Sequence, residues 1–510
     1  MNEAKEVISP AEEHFEQARK RIGLFVGPII FVIVYLLPFP ALKPQAHWLA
    51  AVLSLVIVWW ITEPIPIPMT ALLGASLAII LGVDEVKRVF APFADPIVFL
   101  FIGSFILAQA MSKHRLDRRI AYSILAIPKI GNDTRSILFF FGLIGVAISM
   151  WVSNTATTAM LLPIGVGILG TITHIYHEKT KKTIALHKSR YSTGLMLIAA
   201  YGASVGGIGT PVGTPPNLIG IGMIDRLLNI KISFFQWMIF AVPLVIIMYV
   251  VLYFLLLVLH PPEIVKIEEV GDYIKDKKIE LGPMTRGEKN VLIAFLVTVA
   301  LWVFPGFVAM FLGNNSIIAK WYEGHIPEAV AALIGAVLLF ILPTNWKTKE
   351  FTFNWKEAAC IDWGTIILFG GGLSLGALMF STGLANALGQ WLFSITGAKS
   401  LWAITATAIA LGIVISEFTS NTASANTVIP IMISLSLAAG VNPLPPAIGA
   451  CLGASYGFML PVSTPPNAIV YGSGMVPITK MIRAGIIFDI VGFFIILFGM
   501  FIFLPLAGIK

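Results

Sequence analysis

The chain has 510 residues, 57% apolar and only 12% charged, which excludes an ordinary soluble domain, where charge makes up about 25%. A net charge of +7 invites a nucleic-acid reading, but the basic residues sit in short loops between apolar runs, where they report topology and not a partner. Two cysteines, Cys360 and Cys451, form no disulfide framework and no metal quartet.

Residues 1–22 are polar, with no apolar core before a cleavage site, so they read as a cytoplasmic segment and not a signal peptide. Ser9-Pro10-Ala11-Glu12 has the pattern of a capped helix start, and the short polar helix it predicts ends in Arg19-Lys20-Arg21. Spans follow at 23–38, 48–62, 69–82 and 93–112, in runs suited to a hydrocarbon core roughly 30 Å thick. Trp59-Trp60-Ile61-Thr62-Glu63-Pro64 closes the second span, and Glu63 reads as a capping or interfacial carboxylate. An apolar stretch at 136–173 is too long for one span and too short for two. That length predicts a re-entrant hairpin, whose irregular tip must be buried in protein or line a cavity. A charged linker at 174–190, in which His174 and His177 read as loop residues, precedes 192–223. A proline- and glycine-rich break divides that stretch. Within it, Gly202-x-x-x-Gly206 suits close helix packing. A span at 235–259 and a polar surface linker at 260–289 end the first half.

The second half repeats the plan, with spans at 288–305, 327–342 and 363–382, a hairpin at 401–438, a broken helix at 443–473 and a last span at 483–505. The expected fold is an all-α polytopic membrane protein of about 11 transmembrane helices plus two re-entrant hairpins with broken helices. With the N-terminus cytoplasmic, the inside segments carry 26 of the 34 Lys and Arg residues, which puts the C-terminus outside.

The polar residues inside the apolar runs are duplicated. Asp95 and Asp362, Ser149 and Ser416, and Ser153 and Ser420 are each separated by 267 positions. Ser153-Asn154-Thr155 is followed by Pro211-Val212-Gly213-Thr214-Pro215-Pro216-Asn217, and Ser420-Asn421-Thr422 by Pro461-Val462-Ser463-Thr464-Pro465-Pro466-Asn467. The two breaks lie 250 apart, because the first half carries 17 more residues, the length of its charged linker. The topology turns the halves into inverted repeats, the pattern of a secondary transporter with its site at the repeat interface. Ser and Thr hydroxyls, Asn amides and main-chain N–H groups at hairpin tips can meet carboxylate oxygens. The same side-chain oxygens and freed carbonyls suit Na⁺. No Arg or Lys lies in the apolar part of either hairpin or in either break. A dianion there needs bound cations to balance it, so Na⁺ coupling follows as an expectation. Glu417, whose first-half counterpart is Met150, and Asp489 are intramembrane carboxylates outside the duplicated pattern. No His, Lys or Asp stands near either tripeptide as a base, so the chain does not read as an enzyme.

Ser153-Asn154-Thr155-Ala156-Thr157-Thr158 and Ser420-Asn421-Thr422-Ala423-Ser424, with the two breaks and Trp60-Ile61-Thr62-Glu63, resemble the divalent anion/sodium symporter family. That family includes bacterial dicarboxylate transporters and mammalian sodium-dicarboxylate and citrate carriers. The resemblance implies an elevator-type homodimer in the cytoplasmic membrane, importing C4-dicarboxylates (succinate, malate, fumarate) with two or more Na⁺. It implies one sodium site at Ser149, Ser153, Asn154 and Gly213, and another at Ser416, Ser420, Asn421 and Ser463. Substrate carboxylates would meet Asn154, Thr155, Thr214, Pro215, Asn421, Thr422, Thr464 and Pro465. Carried onto this chain, 23–129 and 288–399 form a scaffold, 130–260 and 400–510 a transport domain, and 261–287 a cytoplasmic linker. Some members exchange dicarboxylates or citrate without Na⁺, which is the alternative activity.

Overall fold

A computed structural model describes residues 10–180, 189–263, 265, 268–313, 316–397 and 400–509. The chain is almost wholly helical, as a backbone in hydrocarbon must be when it can find no water to bond. The first half opens with α1 (Pro10–Leu36), α2 (Pro44–Thr62), α3 (Ile67–Ile80), the short α4 (Val86–Phe90) and α5 (Pro96–Lys113). Then come α6 (Leu116–Leu125), α7 (Pro128–Gly131), the hairpin arms α8 (Thr134–Ser149) and α9 (Asn154–Thr180), the broken pair α10 (Arg190–Gly207) and α11 (Pro215–Leu228), and α12 (Phe234–Leu259). A surface helix α13 (Glu268–Glu280) leads into α14 (Arg286–Leu312), α15 (Ile317–His325), α16 (Glu328–Ile341), α17 (Trp355–Ala358), α18 (Trp363–Thr382) and α19 (Leu384–Thr396). The second hairpin is α20 (Leu401–Phe418) and α21 (Asn421–Ala438), the second broken pair α22 (Leu444–Ala454) and α23 (Pro465–Gly472), and α24 (Ile478–Leu506) ends the chain.

Among the described residues, eight helices are long and apolar enough to cross a membrane alone, and α15 with α16 forms a bent pair that qualifies jointly. The expected hairpins and broken helices fall where the polar tripeptides and breaks lie. Ends are set by local chemistry. Ser233 and Gln236 form a reciprocal capping box on α12, as Thr285 and Glu288 do on α14. Arg119 of α6 seals the second box through Nε to the Glu288 carboxylate at 2.5 Å.

Several expectations change. The polar N-terminal helix does not stop at Arg21 but runs on to Leu36 as one rod; the Ser9 cap lies outside the described residues. Close packing explains the continuity. Gly23 and Gly27 let α1 lie on α2, where a Cβ at Gly27 would stand 2.3 Å from the Trp59 ring nitrogen, and Trp59 Nε1 donates to the Gly23 carbonyl at 2.9 Å. The polar stretch at 260–289 holds α13, which buries Val270 and Ile274, one helical turn apart. His174 and His177 belong to the end of α9 and not to a loop; α9 has 27 residues against 18 in α21, so part of the first half's extra length is helix. Pro343–Asn345 and Glu350–Phe351 pair as a small antiparallel ribbon that the apolar pattern does not announce. The expected close packing at Gly202 and Gly206 is present: a Cβ at Gly206 would meet the Val146 carbonyl at 2.3 Å, so α10 lies backbone to backbone on α8.

The halves interleave. The first break's α11 packs against α21 of the second hairpin, and the second break's α23 packs against α9 of the first. Each hairpin thereby packs on the broken helix of the other half, while its tip meets the break of its own half.

Candidate functional site

Each hairpin turns at its tripeptide, and the serine makes the turn possible. Ser420 caps α21, its Oγ accepting from Ala423 N at 3.2 Å; Ser153 does the same for α9, accepting from Ala156 N at 3.3 Å. The asparagine that follows is the first residue of the helix. It is met from behind by the serine one turn earlier: Ser149 Oγ donates to Asn154 Oδ1 at 2.7 Å, and Ser416 Oγ to Asn421 Oδ1 at 2.7 Å. The same pair of oxygens is therefore assembled twice, at buried serines that leave lipid no access.

The breaks complete each cluster. A Cβ at Gly207 would lie 2.4 Å from Asn154 Oδ1, and one at Gly213 would lie 2.5 Å from the Gly207 carbonyl. Ser149, Asn154 and Gly213 thus converge at the end of α10. In the second half, Gly457 stands where Gly207 stands in the first. A Cβ on it would be 3.1 Å from both Ser416 Oγ and Ser463 Cβ. Ser416 Oγ also lies 2.8 Å from the Ala454 carbonyl, so its single proton is shared between that oxygen and Asn421 Oδ1, which ties it to the end of α22. Thr155 and Thr422 sit in the first turns of α9 and α21 beside the asparagines. Thr214 and Thr464 are the buried N-cap residues of α11 and α23, with Pro215 and Pro465 as the first helical residues. The residues expected from the sequence to meet sodium or substrate therefore lie at hairpin tips or break ends.

Three further features gain a definite role from the structure. The terminal asparagines of the two breaks are braces: Asn217 Nδ2 donates to the carbonyls of Gly207, Ile208 and Thr210, and Asn467 Nδ2 to those of Gly457 and Leu460. Both are fully buried, and each leaves its Oδ1 without a partner. Their common spacing of 250 already marked them.

Second, Glu417 is a structural anion. Its carboxylate accepts from the main-chain N–H groups of Phe458 (2.7 Å), Met459 (2.9 Å) and Leu460 (3.2 Å) and from Ser463 Oγ (2.6 Å). It holds the second break in shape, and the buried Asp489 interacts with it from α24. Tyr201, Tyr456, Phe458 and Phe488 stack around this point.

Third, a cation reaches the second hairpin from outside both motifs. Arg19 of α1 donates through Nη1 to the Phe418 carbonyl at 3.3 Å and pairs with Glu63 at 3.8 Å. Glu63 is thus both the left-handed C-cap of α2 and an ion-pair partner. Arg19 could not be found by inspecting the hairpins, because only tertiary packing of α1 brings it there.

The chemistry of the two clusters is uniform: hydroxyl, amide and main-chain oxygens. Among the described residues no group of three His, Cys, Asp or Glu side chains could hold a metal ion. Neutral oxygen lone pairs suit hard cations, and the hydroxyl O–H and amide N–H groups beside them can donate to carboxylates.

Comparison with known proteins agrees over nearly the whole chain. Residues 18–508 match the family described as the sodium:sulfate symporter transmembrane region. A sodium-dependent dicarboxylate transporter, SdcS, of Staphylococcus saprophyticus is 35% identical over 488 residues, covering 95% of this chain and 91% of the relative. SdcS of Staphylococcus aureus strain USA300 is 33% identical over 494 residues, covering 96% and 92%. Among solved structures, Neisseria gonorrhoeae MtrF aligns with a TM-score of 0.54 at 13% identity, covering 84% of this chain and 85% of that one. The Alcanivorax borkumensis YdaH transporter gives 0.50 at 15%, covering 82% and 85%. At such identities these two show a shared membrane-transporter fold and no more.

Proposed function

The chain belongs to the sodium:sulfate symporter family, and from that membership we propose that it imports C4-dicarboxylates such as succinate, malate and fumarate together with Na⁺. It is a transporter and not an enzyme. The observation that carries the reading is the duplicated serine–asparagine pair, with oxygens 2.7 Å apart in both halves.

Na⁺ is cargo here. In one site Ser149, Ser153, Asn154 and the Gly213 carbonyl supply oxygens; in the other, Ser416, Ser420, Asn421 and the Ser463 carbonyl do. Each serine hydroxyl can donate to the asparagine oxygen beside it. When a cation enters, the hydroxyl hydrogen rotates away and both oxygens turn lone pairs toward the ion. The asparagine amide N–H₂ is then left to face the substrate. One carboxylate of the dianion meets Asn154 and Thr155, the other Asn421 and Thr422. Thr214 and Thr464 add hydroxyls, and Pro215 and Pro465 form walls that carry no N–H donor of their own. Two cations balance two carboxylates, so neither charge is left uncompensated in a low dielectric. Cations therefore bind first, and the anion through them.

The hairpins, the broken helices, α12 and α24 (130–260 and 400–510) move as one transport domain against a scaffold of 23–129 and 288–399 in a homodimer. The interleaving of α11 with α21 and α23 with α9 supports a single moving body. The protein sits in the cytoplasmic membrane, with its N-terminus inside and its C-terminus outside.

Succinate uptake into proteoliposomes tests the reading. An inward Na⁺ gradient drives accumulation, and replacing Na⁺ with choline removes it. Asn154→Ala and Asn421→Ala each lower uptake by about 100-fold, as expected for a lost buried polar contact of roughly 3 kcal/mol, while inserting normally. Undiminished uptake in choline would sink Na⁺ coupling and leave Na⁺-independent exchange.

A further inference from the structure

The end of α12, the start of α10 and the first turns of α24 surround a cavity of 530 Å³ that shares no residue with the tripeptides or the breaks. Its lining includes Arg190, His260, Lys480 and Arg483, with Val258 and Pro261. Lys480 and Arg483 are three apart on one face of α24. Among the described residues, none of the three cationic side chains is held by an ion pair or a side-chain hydrogen bond. The nearby carboxylate, Glu263, is turned to the start of α10, where it accepts from Arg190 N at 2.5 Å, Tyr191 N at 3.4 Å and Ser189 Oγ at 3.3 Å.

His260 is the second, independent sign of a missing partner. Its residue is only 5% exposed, it lines the cavity, and neither ring nitrogen has a hydrogen-bond partner. Burial, with Lys480 and Arg483 nearby, pushes its pKa down to about 4, so the ring is neutral at pH 7 and has an N–H to give. A buried polar group normally finds a partner. Every polar side chain in the lining can donate, and the partner that satisfies them all is an anion with several oxygens.

We propose that this cavity binds a phosphate group, that of an anionic phospholipid headgroup in the leaflet facing the basic side of the protein. Tetrahedral phosphate accepts from a guanidinium fork, an ammonium and an imidazole N–H at once. The lipid source follows from what adjoins the cavity. Val258, 77% exposed, and Phe254, 57% exposed, continue along α12 as an apolar track for an acyl chain. Basic pockets between helices at that membrane face are where headgroups lodge.

The test uses full-length protein, delipidated and returned to phosphatidylcholine, then titrated with phosphatidylglycerol while native mass spectrometry counts bound lipid. Wild type retains phosphatidylglycerol. Lys480→Gln/Arg483→Gln weakens it roughly 30-fold, about five-fold per charge removed, with phosphatidylcholine retention unchanged. Should that pair fail to fold, Arg190→Gln alters an exposed side chain and weakens retention about five-fold. Glycerol phosphate and succinate are added as competitors. No displacement by either supports the lipid headgroup; displacement by glycerol phosphate supports the phosphate site and assigns its source to a soluble phosphate ester. Equal lipid retention by folded variants, or displacement by succinate alone, overturns the proposal and makes the cavity a vestibule for the transported anion.

Discussion

Ser463 and Glu417 occupy positions whose first-half counterparts are Gly213 and Met150, and the two departures from symmetry depend on each other. Ser463 Oγ bonds the Glu417 carboxylate at 2.6 Å and its main-chain carbonyl at 3.1 Å. Without a carboxylate at 150, a hydroxyl at 213 would be buried with no such partner, and a Cβ there would strike the Gly207 carbonyl. The exchange of Gly and Met for Ser and Glu is one change made at two positions. Glu417→Gln keeps the shape but puts an N–H₂ group among main-chain donors. It lowers stability by about 3 kcal/mol, the scale of losing hydrogen bonds to a buried charge. A thermal unfolding midpoint equal to wild type would refute the bracing role. Ser463→Ala separates hydroxyl from carbonyl. If the main-chain carbonyl is the Na⁺ ligand, this variant loses about 1 kcal/mol of stability and shifts the Na⁺ concentration for half-maximal uptake by less than about five-fold. A larger shift assigns the hydroxyl to the ion.

The break after α10 works through backbone contact, and Gly213 is where that can be tested. Gly213→Ala sets a Cβ 2.5 Å from the Gly207 oxygen and 3.0 Å from its carbon, and neither backbone can yield without moving Asn154. Half-maximal Na⁺ rises about tenfold or more, for roughly 1.4 kcal/mol of displaced ligand. Gly170→Ala, where an added Cβ meets nothing within 4 Å, leaves uptake unchanged. Equal behaviour of the two variants would remove Gly213 from the site. At this scale the sequence is readable where hydrocarbon dictates structure. The apolar run at 363–382 is the helix Trp363–Thr382, and that at 235–259 is Phe234–Leu259, because a buried backbone must close its own bonds. The tripeptides were legible for the converse reason: polar side chains in such runs need a purpose, and duplication supplied one. Legibility fails where water takes over. The continuation of α1 through Arg21 and the helix α13 depend on packing, which hydropathy does not register. Arg19 was invisible because its contact partner is 399 positions away.

Across the whole molecule, each hairpin tip is fastened to an element outside its own hairpin and break. At the first, Trp151 lies parallel to Trp302 of α14 with ring centres 6.5 Å apart, and to Phe234 at 6.2 Å. At the second, Arg19 joins the Phe418 carbonyl to Glu63 at the end of α2. On the proposed elevator movement, α1, α2 and α14 stay still while the tips travel, so both contacts must break in each cycle. The aromatic stack is large and apolar, whereas Arg19 is a part-exposed polar fastening, where a pair is worth about 1 kcal/mol or less. Its removal therefore biases the two end states without destroying either. Arg19→Gln and Glu63→Gln each shift the population away from this arrangement by up to about five-fold, read as the ratio of two distances between spin labels on α2 and α21. The double variant shifts it no further than the larger single effect, because one fastening is lost either way. Additive shifts would mean that Arg19 and Glu63 act on separate contacts. No shift in either single variant would mean that the Phe418 carbonyl is held by α1 packing alone, through Gly23 and Gly27 on Trp59.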